Sequence, residues 1–141
     1  LDMKNKTIKI IRDNPRTIFT ETEISGSVKM KEAVEYIEKN YPKMALEFKN
    51  ICQEQYELFC TKQFNYGPSN IAVGTDLKKD EDVKLSLTGL WFRMNDKIQR
   101  LKNLLIFEKA DMVDEPMEDS FQDVSNYGII AQLVSRQKWG K

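Results

Sequence analysis

The placement of four prolines and six glycines constrains this chain of 141 residues most. After Gly26 they fall at Pro42, Gly67, Pro68, Gly74, Gly89, Pro116, Gly128 and Gly140, leaving long stretches built from good helix formers. A proline interrupts a helix it would sit inside but is tolerated in the first turn, where its missing N–H costs nothing. The punctuation therefore predicts a helix over 29–40, a second that starts at Pro42 and runs to about Tyr66, and a stop at Gly67 with Pro68 just beyond. Residues 68–84 read as a loop, because 76–84 carries seven charges in nine positions. A third helix is expected over 85–108 with Leu87, Trp91, Met94, Ile98, Leu101 and Leu105 on one face. A fourth is expected over 116–139, beginning at Pro116 and apolar nearly all round in its second half. The second helix has an apolar stripe of Met44, Phe48, Ile51, Cys52 and Phe59.

The first 28 residues differ. Thr7-Ile8-Lys9-Ile10-Ile11 and Thr17-Ile18-Phe19-Thr20 are β-branched and short, and Asp13-Asn14-Pro15 between them is turn-like. The fold class expected is all-α: a bundle of about four helices over 29–141 with an irregular or partly extended N-terminal arm over 1–28.

Composition removes several chemistries. Without a single His there is no Ser-His-Asp or Cys-His nucleophile, no His-ligated zinc and no imidazole base. Lys plus Arg number 22 against 22 Asp plus Glu, so bulk charge favours neither nucleic acid nor a membrane surface. No apolar run approaches the ~18 residues of a membrane span. Cys52 and Cys60, eight residues apart on one helix, stand about 12 Å apart at 1.5 Å per residue, too far for a mutual disulfide. They read as reduced core thiols of a cytoplasmic, soluble protein.

Three charged groupings are candidates for function. On the fourth helix Asp119, Asp123 and Asn126 share a face that turns apolar further on at Ile130 and Leu133. Carboxylates aimed at a core call for compensation, and a hard divalent cation such as Mg²⁺ supplies it. The structural alternative is that these are solvated acids in the first turns, favoured by the helix dipole. On the second helix Glu54 and Glu57 lie within a polar stripe of Glu47, Asn50, Glu54, Glu57 and Thr61. They could reach a common metal with the two aspartates, or be an exposed acidic face. The third helix aligns Arg93, Lys97 and Arg100, with Asp96 among them. These are phosphate-binding cations with a further ligand or orienting carboxylate, or a ladder of ion pairs worth about 0.3–0.5 kcal/mol each. Tyr66 and the small polar residues after it could contact a base or sugar, or simply end a helix.

The run Tyr66-Gly67-Pro68-Ser69-Asn70, the segment 89–101 around Arg93-Met94-Asn95-Asp96-Lys97, and 114–127 with Asp119-Ser120-Phe121-Gln122-Asp123 together resemble the first nucleotide modification associated domain family. The resemblance covers roughly 42–137 and implies a nucleotide ligand in a phage or bacterial nucleotide-modification setting. More distantly the chain resembles the all-α MazG-like nucleoside triphosphate pyrophosphohydrolases, which include dimeric dUTPases and bind Mg²⁺ through paired acidic motifs. Glu54-x-x-Glu57 matches the first of these motifs. The second stands here as Asp119-x-x-x-Asp123-x-x-Asn126.

The expectation is a Mg²⁺-dependent nucleotide-binding bundle that hydrolyses a nucleoside triphosphate to monophosphate and pyrophosphate. Glu54, Glu57, Asp119 and Asp123 would hold metal and supply the base. Arg93, Lys97 and Arg100 would meet phosphate, with Asp96 on the substrate side as a further metal ligand or as the carboxylate that orients one of these cations, and Tyr66 and Asn126 would meet the nucleoside. The alternatives are a non-catalytic module that senses or sequesters nucleotides or docks on another protein, and a purely structural helical dimer. A homodimer is expected in any of these, since small bundles often complete their core across a two-fold axis.

Overall fold

The structure, a computed structural model, describes residues 24–141. The β-branched pair of segments expected within 1–23 lies outside the described residues. Among those described the chain is all-α, with five helices and no strand: α1 (Ile24–Asn40), α2 (Pro42–Tyr66), α3 (Ser69–Ala72), α4 (Asp80–Leu105) and α5 (Met117–Ser135). Among the described residues no helix is long and apolar enough to cross a membrane.

Proline and glycine act where expected. Pro42 opens α2 after a one-residue break at Tyr41, whose N–H donates the last bond of α1 to the Ile37 carbonyl at 2.8 Å and whose carbonyl accepts the first bond of α2 from Ala45 N–H at 3.0 Å. Gly67 ends α2 at φ +67°, a left-handed conformation that glycine adopts without steric cost. Its N–H closes the last turn onto Gln63.

Several boundaries differ from the expectation. The helix expected from Lys29 begins at Ile24. Within the stretch read as a loop, 69–72 forms the short α3, and α4 starts at Asp80, five residues before Leu85. Asp80, Glu81 and Asp82 then occupy its first turn, where carboxylates oppose the positive end of the helix dipole. At the other end α5 stops at Ser135. Trp139 lies beyond it and is buried, its indole N–H donating to the Pro68 carbonyl at 2.8 Å.

The chain divides into two compact units, meeting in sequence between Thr61 and Lys62. Residues 62–141 hold the buried apolar side chains: Ile71, Ala72, Leu77, Val83, Leu90, Ile130, Val134 and Trp139. Here α4 packs along α5, and α3 packs against α4. The buried face of α4 runs through Val83, Ser86 and Leu90. The face expected to be core is covered only in part: Leu87, Met94 and Leu101 are half-buried, and Trp91, Ile98 and Leu105 are exposed. Ser86 is accommodated because its hydroxyl donates to the Ile71 carbonyl at 2.8 Å. On α5, Ile130 and Val134 are buried as expected, whereas Ile129 is exposed.

In residues 24–61 the expected apolar stripe of α2 is not core either. Met44, Phe48 and Ile51 are exposed, as are both free thiols, Cys52 and Cys60, and Phe59 is half-buried. The polar stripe of Glu47, Asn50, Glu54, Glu57 and Thr61 is exposed, the structural alternative to inward-facing metal ligands.

Candidate functional site

Continuing the buried face of α4 beyond Leu90 in steps of three and four gives Arg93, Lys97 and Arg100. The three cations thus lie on the face that begins as core, and all three are half-buried. Each has a different partner set.

Arg93 Nη2 donates to the Asn70 carbonyl at 3.0 Å, and its guanidinium carbon sits 6.0 Å from the centre of the Tyr127 ring. It makes no ion pair with a carboxylate among the described residues. A guanidinium carries five N–H donors, and one is used. The Asn70 side-chain oxygen is buried without a hydrogen-bond partner, as is that of Gln63.

Lys97 reaches α5. Its Nζ lies 2.9 Å from Asp123 Oδ2 and 3.9 Å from Glu115 Oε1. Lys62, at the end of α2, approaches the other oxygen of Asp123 at 3.4 Å. Asp123, with its side chain 14% exposed, is therefore flanked by two ammonium groups. The hydrogen bond to Asp123 holds the Lys97 ammonium above the ordinary lysine range, partly offset by burial and reinforced by the charges of Asp123 and Glu115.

Arg100 is a clamp. Nη1 donates to the Ser120 hydroxyl at 2.7 Å, and Nη2 to the Glu115 carbonyl at 2.6 Å and Asp111 Oδ2 at 3.1 Å. Ser120 is fully buried. One side chain thus ties α4 to the connection before α5 and to the first turn of α5. The ion-pair ladder through Asp96 does not form: Asp96 is exposed and makes no ion pair among the described residues.

The other predicted residues stand as follows. Asp119 and Asn126 are half-buried on α5, one turn to either side of Asp123. Tyr66 is exposed at the end of α2. Glu54 and Glu57 are exposed on the part of α2 that belongs to residues 24–61, and Glu57 accepts a hydrogen bond from Gln53 at 3.0 Å. Among the described residues no three His, Cys, Asp or Glu side chains are grouped to hold a metal ion.

Lys62, Glu115 and Ser120 are members of the cluster that the sequence pattern did not single out. Glu115 and Ser120 lie within the 114–127 segment, so the motif marked the region without marking these side chains. Lys62 had no local signal, since its partner is 61 residues away.

The C-terminal residues support the loop that positions Arg93. Trp139 bonds Pro68, and Gly140, at φ +70°, lies so close that a Cβ on it would come within 3.2 Å of Pro68 Cβ. Two residues on from Pro68, Asn70 offers its carbonyl to Arg93.

No curated protein and no solved structure matches this chain. Residues 81–134, nearly all of α4 and α5 with the connection between them, match the model of the family described as nucleotide modification associated domain 1, and with them Arg93, Lys97, Arg100, Asp123 and Tyr127.

Proposed function

We propose that residues 62–141 bind a nucleotide through its phosphates, with Arg93 and Lys97 as the anion-contacting pair. The observation that carries this reading is Arg93. A half-buried guanidinium with a carbonyl and a ring for partners, and no carboxylate beside it among the described residues, retains both its charge and most of its donors for an oxyanion. Lys97 lies one turn away on the same face, and phosphate would compete with Asp123 for it. Lys62 remains beside Asp123, so that carboxylate keeps a counterion when Lys97 turns to the ligand. Tyr66 offers an exposed ring for the base and Asn126 a polar contact on α5. The description of the matching family, nucleotide modification, supports the same ligand class.

The catalytic form of this reading is a Mg²⁺-dependent nucleoside triphosphate pyrophosphohydrolase acting on a deoxynucleotide or a modified one. Glu54, Glu57, Asp119 and Asp123 would hold the ion and one of them would serve as base. The donor set as described does not fit such a centre. Asp123 is matched to two ammonium groups, and no acidic triad is gathered among the described residues. Binding of the nucleotide itself requires no metal ligand, and that form covers a module that senses or sequesters nucleotides.

One plate of samples tests both forms. Thermal shift and pyrophosphate release are read with nucleoside mono-, di- and triphosphates, with and without Mg²⁺. Nucleotide-dependent stabilisation that is lost in Arg93→Met is the expected result, with affinity reduced at least tenfold, about 1.4 kcal/mol. Mg²⁺-dependent release that vanishes in Glu54→Ala and Asp119→Ala would establish the catalytic form. If no nucleotide stabilises the protein, or Arg93→Met binds as well as wild type, the reading is wrong.

A further inference from the structure

Between residues 28 and 54 no side chain is buried, although this stretch of α1 and α2 carries many large apolar residues. Helices without a buried face are not stable by propensity alone, so this surface calls for a cover. Its apolar residues are ordered. On α1 Met30, Val34 and Ile37, and on α2 Met44, Phe48 and Ile51, stand four and three residues apart, each set on one face of its helix, with Tyr41 between the two. All seven are between 36% and 70% exposed. Tyr41 lies in neither helix: its N–H closes the last turn of α1 onto Ile37, and its carbonyl accepts the first bond of α2 from Ala45. At its centre Val34, Ile37, Met44 and Phe48 line a groove of about 390 Å³, edged by the Glu38–Lys49 ion pair.

We infer that this seam is the interface of a homodimer, covered by the same seam of a second copy of the chain. An apolar face on one chain meets itself across a two-fold axis, because the same side chains supply both halves of the interface. Charge points the same way. Residues 24–61 hold five Lys and six Glu, too balanced to select a nucleic acid or a strongly charged protein. The area is sufficient: seven half-exposed side chains at on the order of 100 Å² each approach the ~800 Å² per partner of a standard interface. Small neighbours beside the seam, Ala33 and Ala45, let a second helix come close.

Sedimentation equilibrium of the full chain at micromolar concentrations tests this. The wild type should sediment as a dimer, and Phe48→Glu, which puts a charge in the middle of the seam, should weaken association about a hundredfold. Trp91 and Trp139 lie outside the seam, so the tryptophan-monitored unfolding of the variant reports that residues 62–141 remain folded. Tyr36→Glu changes an exposed residue off the seam and should leave the dimer intact. A wild-type monomer, a dimer indifferent to Phe48→Glu, or a dimer lost equally in Tyr36→Glu would each overturn the inference.

Discussion

Replacing Arg100 with leucine removes the clamp between α4, the connection after it and α5. Three acceptors lose their donor: Ser120 Oγ, fully buried, the Glu115 carbonyl, and Asp111. A hydrogen bond from a charged group contributes about 1.5–3 kcal/mol net, so the two inner bonds together account for roughly 3–6 kcal/mol. Leucine returns about 1–2 kcal/mol through the apolar area it keeps buried. The Asp111 pair, at a more exposed carboxylate, adds less than about 1 kcal/mol. The expected loss is therefore about 3 kcal/mol, which for a unit of this size lowers Tm by roughly 12–24 °C. Arg100→Lys keeps the charge but not the fork that reaches two acceptors at once, and should lie between. Urea unfolding followed by far-UV circular dichroism measures the difference, with an unchanged slope showing that the compactness of the end states is the same. A leucine variant within about 0.5 kcal/mol of wild type, the range of an ordinary surface substitution, would refute the assignment of Arg100 as a clamp.

Two further predictions concern the supports of Arg93 and Lys97. Trp139→Phe should cost about 1 kcal/mol by removing the bond to the Pro68 carbonyl, and Trp139→Ala about 3–5 kcal/mol by emptying a buried aromatic site, both read by chemical denaturation. Because Asp123 raises the Lys97 pKa, the stabilisation from this pair is fully present below the unfolded lysine value of about 10.4 and is lost as pH rises through the folded value. The stability difference between wild type and Lys97→Met should accordingly stay constant through neutral pH and shrink only in strong alkali, as melting curves on a pH series will show.

The helical architecture was legible because proline and glycine act locally. Pro42, Gly67 and Pro116 mark helix ends by what they do to their own backbone, whatever surrounds them. Which face of α4 is buried was not legible. Hydropathy favours the face with Trp91, Ile98 and Leu105, but the buried face carries Ser86 and continues through Arg93. Those polar groups are sheltered by backbone carbonyls of Ile71 and Asn70, 15 and 23 residues away in sequence. A pattern read within one helix cannot anticipate acceptors supplied by another. The same holds for Asp123: its position on an otherwise apolar face suggested a compensating cation, and the cations are the side chains of Lys97 and Lys62.

The central claim is that Arg93 and Lys97 receive nucleotide phosphate while Asp123 competes for the same lysine. Calorimetric titration of nucleotides into wild type and Asp123→Asn, in the absence of divalent metal, tests it most directly. Removing the competing carboxylate should tighten binding about tenfold, roughly 1.4 kcal/mol. An Asp123→Asn protein that is folded but binds nucleotide more weakly than wild type would contradict the account, because it would make the carboxylate a part of the ligand site rather than its rival.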